Sequence, residues 1–191
     1  MEPGNGDSDR ALLARLVEGD DEALSAVMAR HERRLYGIAY GYLRNPEDAL
    51  EVVQDVFVKL FQLSPRIDAR AELGAWLTRV AINGAIDRYR QRKRRGAREV
   101  AVESEDLQHL PSAPSQDGAL QKLHNEDSRR LLERSLLALN ETQRAVVTLR
   151  HFSDLSLDEI ASTLGLRLGT VKSSLNRALA RMKTAIVEVR S

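Results

Sequence analysis

The stretch from Leu164 to Met182, LGLRLGTVKSSLNRALARM, sets two glycines, a threonine, a lysine and two serines ahead of a basic helical pattern. Those residue types admit two chemistries. In a phosphate cradle, glycines let backbone N–H groups wrap a nucleotide while a lysine reaches its terminal phosphates, which needs G-x-x-x-x-G-K-[ST] directly after a strand. Here Gly165 and Gly169 are one residue too close, Thr170 and Val171 separate Gly169 from Lys172, and the preceding SLDEIAST has a helical pattern. The cradle fails on spacing and on context.

The other chemistry is DNA recognition by a helix-turn-helix, in which a short support helix holds a second helix in the major groove. Ile160, Ala161 and Leu164 supply the support, and Val171, Leu175, Ala178, Leu179 and Met182 the buried face of the second helix. Lys172, Ser173, Asn176 and Arg177 are left outward. Thr170, at the helix N-terminus, is placed to bond a phosphate together with the free backbone N–H groups. A plain helical hairpin with solvated bases accounts for any one of these residues. Taken together, the capping box from Ser156 to Glu159, the glycine turn and the net positive last helix favour DNA.

Two further segments have unusual patterns. In NPEDALEVVQDVFVKLFQ, nine apolar residues from Ala49 to Phe61 cover about 240° of a helical wheel, whereas a surface helix on one core needs only about 100° or somewhat more. Either this helix is buried between two neighbours, or part of its face, with Gln54 and Asp55, docks a partner protein. The next segment changes from the core-like LGAWLTRVAI to NGAIDRYRQRKRR, with Asn83, Asp87, Arg90 and Arg94 roughly on one face. A helix with a packed start and a basic end suits contact with a nucleic acid backbone. Trp76 reads as core, with stacking on a base as its alternative.

The elements that must position these residues are helical. Leu12, Leu13, Leu16 and Val17 form a short stripe, and Asp20 or Asp21 caps a longer helix to about Leu43. RNPEDA breaks it, with Asn45 as cap and Pro46 in the first turn of a helix to about Leu63. A fourth helix starts at Leu73 and ends near Arg95. Leucines from Leu120 to Leu139 mark another, Asn140 caps ETQRAVVTLRHF, Ser156 caps LDEIASTL, Gly165 stops that turn, and Gly169 lets the last helix start. The expectation is an all-α protein of two small domains, 9–95 and 119–187, joined by a flexible acidic linker over 96–118.

Composition agrees with this and excludes several classes. Of 191 residues, 30% are charged and 4% aromatic, a balance that fits helices with solvated faces better than a β-sandwich. The net charge of +1 conceals a segregated distribution: residues 86–98 carry seven bases against one acid, residues 99–118 five acids and no base, and residues 170–191 five bases against one acid. There is no cysteine, and the four histidines are scattered without ligand spacing, so neither a metal site nor a cofactor is expected. No acid–base pair or nucleophile constellation points to an enzyme. The N-terminus lacks a signal-peptide pattern and no long apolar run occurs, so a cytoplasmic location is expected.

These segments resemble a bacterial sigma factor of the extracytoplasmic-function (ECF) group. NPEDALEVVQDVFVKLFQ is similar to the family's core-polymerase-binding helix, GAWLTRVAINGAIDRYRQRKRR to its promoter-melting and minus 10 helix, and LNETQRAVVTLRHFSDLSLDEIASTLGLRLGTVKSSLNRALARMK to its minus 35 module. The resemblance implies that Asp48, Gln54, Asp55, Leu60 and Phe61 bind the clamp of core RNA polymerase. It sets Trp76, Arg79, Asn83, Arg90 and Arg94 near minus 10 promoter DNA, with the loop PRIDARAEL capturing a flipped base. It assigns Thr170, Lys172, Ser173, Asn176 and Arg177 to the minus 35 major groove, where lysine or arginine reads guanine and asparagine reads adenine. Ser174, Asn176 and Arg167 depart from the family's usual arginine, aromatic or histidine, and proline. An anti-sigma partner covering both domains is also implied. The competing function is a stand-alone helix-turn-helix regulator whose residues 9–95 dimerise or sense a signal.

Overall fold

The computed structural model describes residues 8–64, 67, 72–99, 131–132, 135–136, 138–153 and 155–190, and the side chains among them except those of 96–99 and 187–190. The described residues form seven helices and no strand. They are α1 (Asp9–Val17), α2 (Asp21–Leu43), α3 (Pro46–Leu63), α4 (Leu73–Glu99), α5 (Glu141–Phe152), α6 (Leu157–Leu164) and α7 (Leu168–Arg190).

Local chemistry sets most helix boundaries. Asp20 accepts from the backbone N–H groups of Glu22 and Ala23, and Asn45 accepts from that of Asp48, each satisfying donors that the first turn leaves unpaired. Pro46 at the start of α3 has no N–H to lose. Asn140 with Gln143 and Ser156 with Glu159 form two reciprocal capping boxes. Gly165 ends α6 at φ 65°, where a Cβ would be strained, and its N–H bonds back to the carbonyls of Ala161 and Ser162. Gly169 lies inside the first turn of α7 with open space around it, so the start of that helix does not depend on it. The fourth helix runs to Glu99, four residues past the end expected near Arg95. Residues 100–118 of the expected linker lie outside the described residues, as do most of the expected Leu120–Leu139 helix and of the loop PRIDARAEL.

Helix α2 is central to the first unit and packs against α1, α3 and α4. Its core contains Leu12 and Leu13 of α1, Val27, Leu35 and Ile38 of α2, Val52, Val56 and Leu60 of α3, and Leu73, Leu77 and Ile82 of α4. That core does not stop at the first unit. It continues into Val146 and Leu149 of α5, Ile160 of α6 and Val171 of α7, so the two units pack on each other through α2 and α5. A small separate cluster of Leu136, Leu139, Val147 and Ala178 closes the other side of α5. All seven residues from Gln143 to Leu149 are buried, because neighbours cover α5 on every side.

Candidate functional site

Helix α3 combines both arrangements left open by its wide apolar pattern. Ala49, Val52, Val53, Val56, Phe57 and Leu60 are buried between α2 and α4, while Leu50 (50% exposed), Val58 (52%) and Phe61 (57%) lie on the surface. Leu50, Gln54, Val58 and Phe61 follow one another at intervals of four, four and three, so they line one face of the helix. Gln54 and Asp55 are exposed there as well. Leu60, expected to touch the polymerase, is fully buried on the opposite side and holds the helix in place. Asp48 does not stand free either. Its carboxylate accepts from Arg88 Nε at 2.7 Å and lies 3.6 Å from Arg92 Nη1, while Arg88 also pairs with Glu51. These pairs brace α3 against α4.

Along α4, Trp76 is half-buried against the core, and Arg79, Asn83, Arg90 and Arg94 are exposed. Their intervals of three, four, seven and four residues keep them on one side of the helix. Two of these arginines are engaged by the second unit. Arg79 Nη2 donates to the carbonyl of Ser162 at 2.6 Å, and Arg90 Nε donates to Glu141 Oε2 at 2.8 Å. The hydrogen bond and charge of Glu141 raise Arg90 further above its usual value. Asn83, Asp87 and Arg90 form one wall of a cleft of about 380 Å³ whose other wall includes Glu141, Thr142 and Leu166. Nothing in the periodicity of α4 foretold these cross-unit contacts.

The C-terminal unit has helix-turn-helix geometry. Helix α6 ends at Gly165, two residues follow, and α7 begins at Leu168. Thr170, Lys172, Asn176 and Arg177 are exposed on α7, with Arg167 exposed just ahead of it. Ser173 is partly exposed and its hydroxyl donates to the Thr170 carbonyl at 3.1 Å. Ser174 is buried (9% exposed), as are Val171 and Ala178, and so belongs to the packing face of α7. Leu179, expected on the buried face, is 48% exposed instead, because it sits about 100° of helical turn beyond Ala178. Arg181 Nη1 reaches Gln143 Oε1 at 3.2 Å and ties α7 to α5.

An apolar face on one unit and a polar, basic helix-turn-helix on the other have counterparts among known proteins. Residues 27–95 match the family model for Sigma-70 region 2, and residues 129–182 that for Sigma-70 region 4. The RNA polymerase sigma-E factor of Streptomyces coelicolor is 34% identical over 143 residues, 75% of this chain and 74% of that protein. The chain belongs to the sigma-70 family, in its ECF group. A second relative, the ECF RNA polymerase sigma factor SigM of Mycobacterium tuberculosis, is 30% identical over 177 residues, covering 92% of this sigma factor and 83% of SigM. Among solved structures, CnrH in complex with the cytosolic domain of CnrY superposes with a TM-score of 0.69 at 25% identity, covering 97% of this chain and all of that one. The sigma factor RpoE of Bartonella quintana, solved with the anti-sigma factor NepR, shares the fold at a TM-score of 0.63 and 22% identity, over 85% of this chain and 95% of that one. Membership of this family makes the chain an alternative sigma factor, a transcription initiation factor, and sets aside the stand-alone regulator. No helix of the described residues is long and apolar enough to cross a membrane.

Proposed function

We propose that this sigma factor binds core RNA polymerase through α3, reads minus 10 DNA and helps melt it through α4, and reads minus 35 DNA through α7. The division 9–95, 96–118 and 119–187 is its working organisation: a polymerase and minus 10 unit, a tether, and a minus 35 unit. The observation that carries the reading is the exposed row of Leu50, Gln54, Val58 and Phe61 on a helix whose other side is fully packed. An apolar face of this kind on a soluble fold is the mark of a protein partner.

The residue roles follow the chemistry of each face. Gln54, Asp55 and Phe61 contact the polymerase, with Asp48 and Leu60 as positioning residues behind them. Arg79, Asn83, Arg90 and Arg94 meet the minus 10 strand, and Trp76 packs beneath them. Lys172, Asn176 and Arg177 face base edges, while Thr170 and Ser173 face the backbone at the helix N-terminus. The burial of Ser174 supports leaving it out of the base-reading set.

Control by an anti-sigma partner is part of the proposal. A surface such as the α3 row, kept unpaired, is available to an inhibitor as readily as to polymerase. Run-off transcription with purified core polymerase over a promoter library tests the central claim. The expected result is a set of starts sharing two spaced elements. Tight binding to duplex sites by the chain alone, with no promoter-specific starts when polymerase is present, would contradict it.

A further inference from the structure

Behind the residues assigned to DNA, a group of charged side chains meets where α1, α2 and the start of α4 come together. Asp9, the first residue of α1, accepts from Arg30 Nη1 at 2.8 Å and lies 3.1 Å from His31 Nε2. One helical turn beyond Arg30 on α2, Arg34 Nη2 donates to the Gly74 carbonyl at 2.9 Å, and Thr78 Oγ1 donates to the same oxygen at 2.8 Å. Gly74 is what lets them approach. A Cβ there would lie 3.2 Å from Arg34 Nη2 and 3.6 Å from both Asp9 Oδ2 and His31 Cε1, so side chains from α1 and α2 converge on its backbone.

Cohesion alone does not call for this chemistry. His31 and Thr78 are buried, and Arg34 Nε is buried with no hydrogen-bond partner among the described residues. Burial lowers the Arg34 guanidinium from its ordinary value, and the Asp9 charge offsets part of that fall. Aliphatic side chains in these places would join α4 to α2 without desolvating a charge. What the guanidinium adds is direction. Apolar burial is non-directional, whereas the N–H groups of arginine lie in one plane and bond only an acceptor placed in it. The acceptor here belongs to the first turn of α4, whose opposite side carries the residues assigned to minus 10 DNA. At about 100° per residue, Trp76, Arg79 and Asn83 stand about 160°, 140° and 180° around the helix from Gly74.

We propose that Arg34 is a positioning residue for promoter opening: its bond to the Gly74 carbonyl, backed by Asp9 and Thr78, sets the axial and angular register of α4 so that Trp76, Arg79 and Asn83 meet the minus 10 strand in line. The proposal rests on the reading of α4 as the minus 10 helix and adds to it the residue that aims that helix. Unpairing and unstacking bases costs free energy, which contacts to the freed strand must offset, and a small misplacement weakens all of those contacts together. A helix out of register therefore loses opening first. On DNA that is already open the cost has been met, and the same helix has less to offset.

The test compares run-off transcription by the full chain with core polymerase on two templates. One is a duplex promoter that the wild-type chain uses, and the other is the same promoter with its minus 10 region mismatched and so already open. Arg34→Met keeps much of the side-chain volume and removes the bond. It should lower starts from the duplex by about tenfold and from the open template by less than about twofold, with polymerase binding unchanged. Arg34→Lys keeps the charge without the planar fork and should lose about threefold on the duplex alone. Should Arg34→Met fail to fold, Arg34→Lys carries the same comparison. If the duplex is used as well as by the wild-type chain, or if the loss on the open template is as large as on the duplex, Arg34 only supports the fold and the proposal is wrong. If the wild-type chain starts from no promoter of a library, the reading of α4 fails and takes the role of Arg34 with it. That result is seen without any variant, so the two failures are distinct.

Discussion

The two units of this sigma factor solve the same problem of leaving a helix face free, and they do it with opposite chemistry. In the first, α3 is locked into a continuous core by Val52, Val56 and Leu60 and leaves apolar Leu50, Val58 and Phe61 outside. In the second, α7 is held by the small side chains of Val171, Ser174 and Ala178 and leaves polar Thr170, Lys172, Asn176 and Arg177 outside. Apolar surface gains free energy from any close-fitting cover, whereas lysine, asparagine and arginine gain it only where acceptors are correctly placed. The first face therefore suits a protein and the second a base sequence.

Two adjacent residues of α3 break that comparison most sharply. Leu60 is fully buried and Phe61 is 57% exposed. Leu60→Ala should cost about 2–5 kcal/mol of stability, measured by urea unfolding, through the lost burial and the cavity left behind. Phe61→Asp should leave unfolding almost unchanged and weaken core polymerase binding by about thirtyfold, the size of one interface hot spot. If the two effects were exchanged, or if Phe61→Asp bound polymerase normally, the outward row of α3 would not be the docking face.

The complementary pair crosses the two units. Asp55→Ala should weaken polymerase association, read by native gel or surface plasmon resonance, and Lys172→Ala should leave it intact. Lys172→Ala should lower promoter use by about tenfold, the value of one good contact to a base. Equal loss of polymerase binding in both variants would erase the division of labour. A smaller effect is expected inside the second unit. Asn140→Ala removes the cap that accepts from the Gln143 N–H at 2.9 Å. It should cost about 1 kcal/mol in thermal or urea unfolding, with the α3 face untouched.

Much of this arrangement can be read along the chain, because caps and helical periods are local. Asn45, Pro46, Asn140, Ser156 and Gly165 each mark a boundary by their own chemistry. The packing face of α7 is less legible. Residue type favours Leu179 over Ser174 as a core residue, but the helical register runs through 171, 174, 178 and 182, and burial follows the register. In α3 the count of apolar residues indicates excess surface without saying which residue faces out, so Leu60 and Phe61 cannot be told apart from sequence. Least legible is the contact between α2 and α5. It joins segments about a hundred residues apart and is not periodic along either. Its traces are Gly37 and Gly41 one helical turn apart and the unbroken buried run from Gln143 to Leu149, and each has meaning only when the other is in view.

The smallest expected effect concerns the anchoring of α1, which distinguishes the first unit from the second by its sensitivity to acid. His31 is buried on α2, with its Nε2 3.1 Å from the Asp9 carboxylate, and Arg30 Nη1 donates to the same carboxylate at 2.8 Å. Burial, helped by the nearby Arg34 and Arg30 charges, holds the imidazole below its ordinary value of 6.5 despite the pull of Asp9. Burial alone would raise Asp9, but the hydrogen bond from Arg30 and the charge and hydrogen bond of His31 outweigh it and keep Asp9 below 3.8. A histidine depressed in the folded state takes up its proton more readily when unfolded. Its contribution is therefore intact above 6.5 and is lost as pH falls toward the folded value, while that of Asp9 is lost only below 3.8. The melting temperature of the wild-type chain should decline slightly from about pH 8 to about pH 5, and that of His31→Asn should be flatter over the same range. A wild-type profile no steeper than that of the variant would mean that His31 does not couple the seat of α1 to pH.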